Sequence, residues 1–486
     1  MATEQNSEAS LEGAPAPELP SKFLPGVTYR SIPESRPFRK IFGASVILTA
    51  TAIGSGEFVL WPYLTSQVGL TLMWAAILGF IMQYILNMEI ERYTLATGET
   101  AVTGFTRIWA PLGVIITMMA VIPNLWPGWA TGAATTMTYV AGGGDPVPIA
   151  IVAMVAIGMV LTLSKVVYRT VEKIELVLVG GIAVFLVVAV CIGTGLDDWA
   201  AFGGSFSHVG RVPPIEEVGG IAALLGAIAF AGAGGGNNLV QSNWARDKQM
   251  GMGAFLPRVT SPFTGHEAAA PVTGYMFLDN VENRRRWRDW WRVANTEQFF
   301  TFFVLGCGTL IIMSVLAYAT VYGVPLPEEE FDFLRGQGMV LGERFGGWFR
   351  TAFWLAGTIA LFSTQLGIMD WVSRLAADNL KVTFFRNSNG ITESRIYFLV
   401  VWLLIIGGAS ILLSGMKEPL LLILISSSMG GVVMFLYSML LIYTNRRFLP
   451  ASIRLGSWRL VMMFVAVAFY GYFSIALLAD QVGKLL

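Results

Sequence analysis

The sequence predicts an all-α polytopic membrane protein. Hydrophobic residues make up 55% of its 486 residues and charged residues only 13%, whereas soluble domains carry about 25% charged residues. Apolar runs of about 18 or more residues, long enough to cross a bilayer as a helix, recur along the whole chain. Two of these runs contain glycine clusters beside polar side chains, a pattern typical of helices that unwind at membrane depth. These observations favour a transporter over a soluble enzyme or binding module.

The apolar runs predict about eleven transmembrane helices, numbered here as spans 1 to 11. They are expected at 41–68, 70–90, 111–140, 146–164, 172–195, 217–243, 297–323, 349–379, 395–415, 418–445 and 458–480. Residues 1–40 are polar and contain no apolar region of a signal peptide, so they are expected to form a disordered cytoplasmic tail. The spans divide into a first five-helix repeat (41–216), a second (217–446) and a last segment (447–486) with the eleventh helix.

The distribution of Lys and Arg predicts the orientation of the chain. Of the 32 Lys and Arg residues, 26 fall in the N-terminal tail or in segments on its side of the membrane. Because basic segments are retained in the cytoplasm, the N-terminus is expected inside and the C-terminus outside. We expect an integral protein of a prokaryotic plasma (inner) membrane that works as a monomer in the lipid bilayer.

The longest segment expected in the cytoplasm is the loop 244–296. It carries the tract 284–292, in which five arginines are interleaved with three tryptophans. At a cytoplasmic membrane surface this pattern most often indicates contact with anionic lipid headgroups. Composition alone would also allow nucleic acid as a partner, but we expect none.

Cysteine and histidine chemistry is not expected at the functional site. Cys191 and Cys307 lie in apolar segments and fit neither a disulfide framework nor a metal-ligand spacing. His208 and His266 both fall in predicted loops. We therefore predict no cofactor and no histidine proton relay inside the membrane.

Span 1 contains the tract on which the functional prediction depends, residues 49–63. Gly54, Ser55 and Gly56 are poor helix formers, and Glu57 follows them directly. The span is therefore expected to unwind and to free backbone carbonyls. Irregular backbone at membrane depth survives where it lines a polar cavity, and an ionisable residue beside it is a candidate functional residue. Glu57 is predicted to line a substrate site, although a structural Glu bonded to a helix end would also fit.

Span 6 contains a second interrupted tract. The small residues 232–236 precede Asn237 and Asn238 at membrane depth. Spans 1 and 6 are five spans apart, and because five is odd the two halves must lie in opposite orientations. Paired glycine-interrupted spans at matching positions of inverted halves indicate the midplane site of a secondary transporter. Close helix packing through small residues is the alternative, but packing glycines tend to recur every four residues.

These tracts resemble the Nramp family of divalent-metal transporters, and more closely its divergent Nramp-related members. Further similar tracts are 65–69 after the break of span 1, 91–99 after span 2, 237–242 in span 6 and 365–374 in span 8. The similarity covers most of residues 40–446, and the Thr-Gly-Glu sequence at 97–99 is its most specific part. It implies a LeuT-like fold of five plus five inverted helices with one extra helix, helices 1 and 6 unwound. It also implies divalent-metal import by alternating access.

The sequence departs from the Nramp pattern at the metal ligands. Span 1 of a typical member reads Asp-Pro-Gly-Asn, in which the Asp and the Asn bind the metal, whereas residues 54–57 here read Gly-Ser-Gly-Glu. Span 6 usually carries Met-Pro-His, and here 235–237 supply neither thioether nor imidazole. Span 3 usually carries acidic residues of a proton route, and residues 111–139 contain none.

The remaining candidate ligands all offer oxygen atoms. The candidate substrate- or metal-binding residues are Glu57, Gly54, Ser55, Gly234, Gly235, Asn237, Asn238, Ser426, Ser427 and, along the path, Gln365. Oxygen ligands favour Mg²⁺ and Mn²⁺, whereas sulfur ligands favour softer metals. A single carboxylate suits weak, reversible binding, and Mg²⁺ keeps several waters in a roomy site. We therefore predict transport of hard divalent cations, without proton coupling.

A different substrate on the same fold remains open. Backbone amides at unwound spans also hold the carboxylate of an amino acid or another small organic solute, and Glu57 would then meet the amino group. No nucleophile–base pair or phosphate loop points to an enzyme. Glu89, Glu91 and Glu99 are candidates for an inner gate with Arg92, and Asp370 is expected to pair with Arg374 one helical turn later.

Overall fold

The protein is an almost entirely helical bundle. The computed structural model describes residues 18–485 apart from 43, 165, 257–272, 326–330 and 389. Within these residues, ten helical segments are long and apolar enough to cross a membrane. A further hydrophobic segment, span 6, consists of two shorter helices. The prediction of an all-α membrane protein is therefore confirmed.

The observed helices follow the predicted order. Spans 1 to 5 are Ser45–Val68, Met73–Thr97, Ala110–Ala141, Pro146–Leu163 and Val167–Gly193; spans 7 to 11 are Val281–Thr320, Gly347–Thr383, Glu393–Leu413, Pro419–Arg447 and Ser457–Gly483. Span 6 comprises Ile221–Ala229 and Gly235–Asp247. Shorter helices between the spans are Phe38–Ile41, Ala101–Ile108, Leu196–Ser205, Phe206–His208, Gly251–Phe255 and Asp332–Phe345.

Span 1 does not unwind into extended backbone, and this prediction is corrected. An α-helix over Ala44–Ala52 widens into a π-helix over Ile53–Leu60 and returns to an α-helix over Trp61–Val68. The amide of Trp61 donates to the carbonyl of Gly56, five residues earlier. Glycine costs a helix only about 1 kcal/mol, so close packing of this buried tract keeps it helical. A π-helical stretch within an α-helix is frequent at functional sites.

Span 6 does unwind, as the sequence predicts. Its first helix ends at Ala229, its second begins at Gly235, and the turn between them is not helical. Gly232 and Gly234 have positive φ angles of 111° and 70°. These backbone conformations are readily adopted only by glycine. The glycine cluster is therefore a requirement of the break itself.

Span 3 is interrupted as well, which the sequence analysis did not anticipate. The α-helix Ala110–Val121 passes into a 3₁₀ turn over Ile122–Leu125 and resumes as Gly128–Ala141. Pro123 lies within the turn, and Pro127 directly precedes the second helix. Proline removes a backbone donor and clashes with the preceding turn, so the pair accounts for the interruption.

Span 7 begins earlier than its hydropathy suggests. Val281–Gln298 is an α-helix that continues through a π-helical segment, Phe299–Val304, into Leu305–Thr320. The tract 284–292 is therefore helical, and the prediction of a loop is corrected there. Asn280 caps this helix by accepting a hydrogen bond from the amide of Asn283. This helix carries many charged residues, so it does not form part of the apolar run that predicted span 7.

Residues 18–40 pack against the start of span 7. Thr28–Tyr29 forms a parallel two-stranded sheet with Tyr275–Met276. Ile32 is completely buried, and the indole of Trp290 donates to the carbonyl of Pro33 at 2.8 Å. The prediction of a disordered tail is therefore wrong for residues 18–40, because apolar residues within this polar segment find a second small core. Residues 1–17, and His266 of the predicted loop, lie outside the described residues.

Span 8 occupies the centre of the bundle. It packs against both halves of span 3, the π-helical tract of span 1, and spans 5, 6 and 9. Span 10 packs against both helices of span 6. The break of span 6 is thereby surrounded by spans 1, 2, 3, 8 and 10, which position the candidate site.

Candidate functional site

The break of span 6 is held by a side chain from span 2. The amide nitrogen of Gln83 donates to the carbonyls of Ala229 and Ala231, both at 2.7 Å. Its amide oxygen accepts from the backbone N–H of Gly234 at 3.0 Å. Gln83 is completely buried. One side chain therefore satisfies three backbone groups that the missing helical turn leaves open.

Glu57 lies beside this break but points towards span 7. Its side chain is completely buried, and neither carboxylate oxygen has a hydrogen-bond partner among the described residues. A Cβ atom added at Gly306 would lie 3.7 Å from Glu57 Oε1 and 2.8 Å from the ring of Phe80. Cys307 is close enough for its thiol to interact electrostatically with Glu57. The acid therefore sits in a largely apolar environment with a thiol nearby.

The glycines before Glu57 bring span 1 into direct contact with its neighbours. A Cβ atom added at Gly56 would lie 1.6 Å from the carbonyl oxygen of Phe230, inside the break of span 6. At Gly54 it would lie 2.2 Å from Thr364 Oγ1 and 2.3 Å from the carbonyl of Ala360 in span 8. The alternative of close helix packing thus describes span 1 better than unwinding does. The carbonyls near Gly54 remain within a continuous helix, contrary to the prediction.

A small cavity opens on the other side of the break. It has a volume of about 10 Å³, enough for a single water molecule. Spans 3, 6, 8 and 10 enclose it. Its lining includes the predicted residues Gly234, Gly235 and Ser426, together with Met119, Asn124 and Trp371.

Asn124 connects span 3 to span 10 at this cavity. Its side-chain oxygen accepts from the hydroxyl of Ser426 at 3.1 Å, and its nitrogen donates to the carbonyl of Ala120 at 2.8 Å. Span 3 therefore contributes an amide to the centre of the bundle. Met119 also brings a thioether to the cavity, which the prediction of an all-oxygen site did not include.

Two asparagines follow the break with unpartnered oxygens. Asn238 donates to Gln83 Oε1 and to the hydroxyl of Tyr437, both at 3.2 Å. Asn237 donates to the carbonyl of Ala233 at 3.5 Å. Both side chains are at most 2% exposed, and neither Oδ1 atom accepts a hydrogen bond from the described residues. Each offers an oxygen that is buried and available.

The other predicted ligands already have structural partners. The hydroxyl of Ser55 donates to carbonyls of its own helix. Ser427 likewise donates to the carbonyl of Leu424. Gln365 accepts from the amide of Ala130 at 3.2 Å, where the second helix of span 3 begins. These three side chains therefore already make hydrogen bonds within the protein, unlike the oxygens of Glu57, Asn237 and Asn238.

Asp370 and Arg374 belong to a buried charged network. Arg374 Nε lies 2.8 Å from Asp370 Oδ2, and the same guanidinium pairs with Asp247 at the end of span 6. The hydroxyl of Tyr397 donates to Asp370 at 2.7 Å, and the indole of Trp244 donates to it at 3.3 Å. Spans 6, 8 and 9 are thus fastened together at one end of the bundle.

Glu91 and Arg92 point to different partners. Arg92 pairs with Glu89 at 2.7 Å and stacks on Trp291, with its guanidinium 4.0 Å from the ring centre. Glu91 instead accepts from the side chain of Gln241 at 2.6 Å. Of the acids considered for a gate, Glu89 therefore pairs with Arg92, whereas Glu91 contacts span 6.

Sequence reasoning found the acid but missed the residues that organise its surroundings. Gln83 and Asn124 were not among the predicted site residues. Polar residues four apart in span 2, and an Asn between two prolines in span 3, were the available signals. The predicted side chains divide into the acid facing span 7, the two unpartnered asparagines, Ser426 at the cavity, and Ser55, Ser427 and Gln365 with structural partners.

A bundle with a broken sixth span and small residues at its crossing with span 1 has the architecture of a membrane transporter. No protein-family model matches this sequence, and no curated protein matches it.

Solved structures of a manganese transporter from Eremococcus coleocola share its fold. One mutant matches with a TM-score of 0.67 and 11% identity over 94% of this chain and 91% of that chain. A second mutant matches with a TM-score of 0.68 and 11% identity over the same shares. A complex with an aromatic bis-isothiourea substituted compound matches with a TM-score of 0.67 and 12% identity, over 95% and 91%. The transporter fold implied by the sequence resemblance is thus confirmed.

Proposed function

We propose that this protein transports divalent metal cations by alternating access and favours the hard ions Mg²⁺ and Mn²⁺. The observation that carries the proposal is the carboxylate of Glu57, which is completely buried without a hydrogen-bond partner among the described residues. An isolated buried carboxylate costs several kcal/mol. A positively charged ligand that visits the site would offset this cost.

The unpartnered oxygens of Asn237 and Asn238 support the same proposal. Together with Glu57 they supply carboxylate and amide oxygens on both sides of the contact between spans 1 and 6. Oxygen ligands are those that Mg²⁺ and Mn²⁺ prefer. A single carboxylate neutralises only half of the charge of such an ion, which suits release as well as capture.

A binding titration tests both the site and its ion preference. Purified protein is titrated with Mg²⁺, Mn²⁺, Ca²⁺ and Cd²⁺ by isothermal calorimetry, as wild type and as Glu57→Gln. The proposal predicts Mn²⁺ and Mg²⁺ binding by the wild type and a loss of roughly tenfold or more in affinity in Glu57→Gln. Glu343→Gln removes an exposed carboxylate and serves as the matched control.

A variant of Cys307 tests the preference for hard over soft ions in the same titration. Cd²⁺ is a soft ion, and a thiolate close to Glu57 would favour it. We expect Cys307→Ser to leave Mn²⁺ affinity unchanged. Cd²⁺ binding much tighter than Mn²⁺ binding, and lost in Cys307→Ser, would contradict the preference for hard ions.

We also propose that transport is not coupled to protons. Span 3 contributes the amide of Asn124, hydrogen-bonded to Ser426, and residues 111–139 contain no acidic side chain that could carry a proton. Proteoliposomes that contain a pH-sensitive dye test this proposal. Mn²⁺ should enter without acidifying the interior, and internal acidification that depends on both Mn²⁺ and the protein would overturn it.

Alternating access is proposed to operate between the repeats 41–216 and 217–446. One contact between the repeats supports it: Gly56 of span 1 touches the break of span 6. The buried ion pairs of Arg374 join spans 6 and 8 within the second repeat, so these two spans are expected to move together.

A further inference from the structure

A row of polar side chains leads from the break of span 6 along span 2. Gln83, Asn87 and Glu91 are four residues apart, so they share one face of the helix. All three are completely buried. Glu91 lies about 12 Å beyond Gln83, because eight residues of helix rise 1.5 Å each. The row faces span 6, where Asn238 contacts Gln83 and Gln241 contacts Glu91.

The row ends in a group of five buried side chains that we call the inner oxygen cluster. Its members come from spans 1, 2, 6 and 7 and are completely buried: Ser45, Glu91, Gln241, Glu297 and Gln298.

The contacts within the cluster are made by two residues, Gln241 through its side-chain nitrogen and Ser45 through its hydroxyl and backbone amide. The side-chain nitrogen of Gln241 lies 2.6 Å from Glu91 Oε1, 3.1 Å from Ser45 Oγ and 3.2 Å from Gln298 Oε1. The hydroxyl of Ser45 is also in contact with one oxygen of Glu297 and with Gln298 Oε1. The backbone amide of Ser45 donates to the other oxygen of Glu297 at 3.0 Å.

The cluster has fewer protons than its side-chain contacts require. Five contacts join the hydroxyl of Ser45 and the amide nitrogen of Gln241 to each other and to three further oxygens. A hydroxyl carries one proton and an amide nitrogen carries two, which makes three. With both carboxylates ionised and the amides oriented as the contacts place them, two of the five contacts lack a hydrogen. A cation between the oxygens would remove this deficit.

Several polar atoms of the row and the cluster also have no partner among the described residues. They are Oε2 of Glu91, Oε1 of Gln241, Nε2 of Gln298 and both polar atoms of Asn87. No described Lys or Arg forms an ion pair with Glu91. Buried polar atoms are normally paired, so groups left open around a carboxylate indicate a missing ligand.

We propose that the inner oxygen cluster binds a hard divalent cation. Glu91 and Glu297 supply two carboxylates, Gln241 and Gln298 supply amide oxygens, and Ser45 supplies a hydroxyl. These are the ligand types that Mg²⁺, Mn²⁺ and Ca²⁺ prefer. The cluster is then a second station for the transported ion, between Glu57 and the end of the bundle formed by the start of span 7. This inference rests on the proposed transport of divalent cations and adds a site to it.

Counting bound Mn²⁺ tests the proposal. Equilibrium dialysis of the purified full-length protein, read by electron paramagnetic resonance of free Mn²⁺, gives the number of ions bound per chain. The wild type should bind two ions, Glu91→Gln and Glu57→Gln one each, and the double variant none. Glu91→Asp keeps the charge but withdraws the carboxylate by one methylene, so it should retain the second ion with weaker affinity. Glu343→Gln should bind two.

The outcomes separate this site from the transport proposal. A wild type that binds one ion, lost in Glu57→Gln and kept in Glu91→Gln, would overturn the second station and leave the transport proposal intact. Two ions retained by correctly folded Glu91→Gln would also overturn it. A wild type that binds no Mn²⁺ would overturn both. Size-exclusion chromatography establishes whether each variant is folded. If Glu91→Gln misfolds, Glu91→Asp and Gln241→Met take its place in the comparison. Undiminished Mn²⁺ affinity at both sites in these two variants would count against the cluster.

Discussion

Gly56 and Gly234 both lack a side chain for a physical reason, but the two reasons differ. Gly56 lies within a helix, and a Cβ atom there would be 1.6 Å from the carbonyl oxygen of Phe230. Gly234 has a φ angle of 70°, which side chains disfavour. The first glycine permits contact between two spans, and the second permits the break. Composition alone predicted unwinding for both, because it carries no information about the neighbouring span.

A larger residue at Gly56 is predicted to separate spans 1 and 6. We expect Gly56→Ala to lower stability by about 1–3 kcal/mol through overpacking, and to reduce Mn²⁺ uptake, because the clash falls on the backbone of the break. Thermal unfolding in detergent and uptake into proteoliposomes measure the two effects. Gly308→Ala is the control, since a Cβ atom there meets nothing within 4 Å. Equal behaviour of the two variants would show that the close contact at Gly56 is unimportant.

At the scale of elements, the apolar runs predicted which segments form spans but not how each span is modified. Their order was predictable because a helix that crosses a bilayer needs about 20 apolar residues. The π-helix Ile53–Leu60 and the 3₁₀ turn Ile122–Leu125 depend on tertiary contacts. The helix Val281–Gln298 was missed because its cap and its partners, rather than an apolar run, define it. Gln83 was missed for a similar reason: its spacing from Asn87 and Glu91 marks a polar face of span 2 but does not reveal the broken backbone which that face meets.

Loss of the Gln83 side chain is predicted to destabilise the break of span 6. Gln83→Leu would leave two carbonyls and one N–H buried without partners, and each such group costs about 1–3 kcal/mol. We expect a clear fall in the melting temperature and faster hydrogen exchange at the break. Gln67→Leu changes an exposed glutamine in span 1 and should have little effect. Similar melting temperatures for both variants would argue against the clamp.

The buried ion pairs of Arg374 are predicted to be essential for folding at their end of the bundle. Arg374→Gln would leave Asp370 and Asp247 without their cation, at a cost of about 3–5 kcal/mol. Arg335→Gln removes an arginine that is 55% exposed and lies 4.0 Å from its acid, so it should cost at most about 1 kcal/mol. Thermal unfolding of the two variants measures the difference. An equally small effect in both would mean that the buried network contributes little.

At the scale of the whole molecule, the fold agrees with the sequence prediction and the site agrees in part. The inverted arrangement could be anticipated because two glycine-rich tracts lie at matching positions five spans apart. The packing of residues 18–40 could not be anticipated, because a few apolar side chains in a polar segment do not reveal the surface that buries them. The predicted orientation places those residues and the start of span 7 in the cytoplasm.

Labelling of introduced cysteines tests that orientation. In a background of Cys191→Ser and Cys307→Ser, Asp197→Cys is expected outside and Arg285→Cys inside; both native side chains are exposed. A maleimide that cannot cross membranes should label intact cells only at position 197. It should label inverted membrane vesicles only at position 285. The opposite pattern would reverse the predicted topology.

Mn²⁺ influx into proteoliposomes, compared between wild type and Glu57→Gln, decides whether the buried acid of span 1 serves cation transport. Influx should be saturable in the wild type, inhibited by Mg²⁺, unchanged in Glu343→Gln and reduced roughly tenfold or more in folded Glu57→Gln. Undiminished influx through Glu57→Gln, or no influx through the wild type, would contradict the proposed role of this carboxylate.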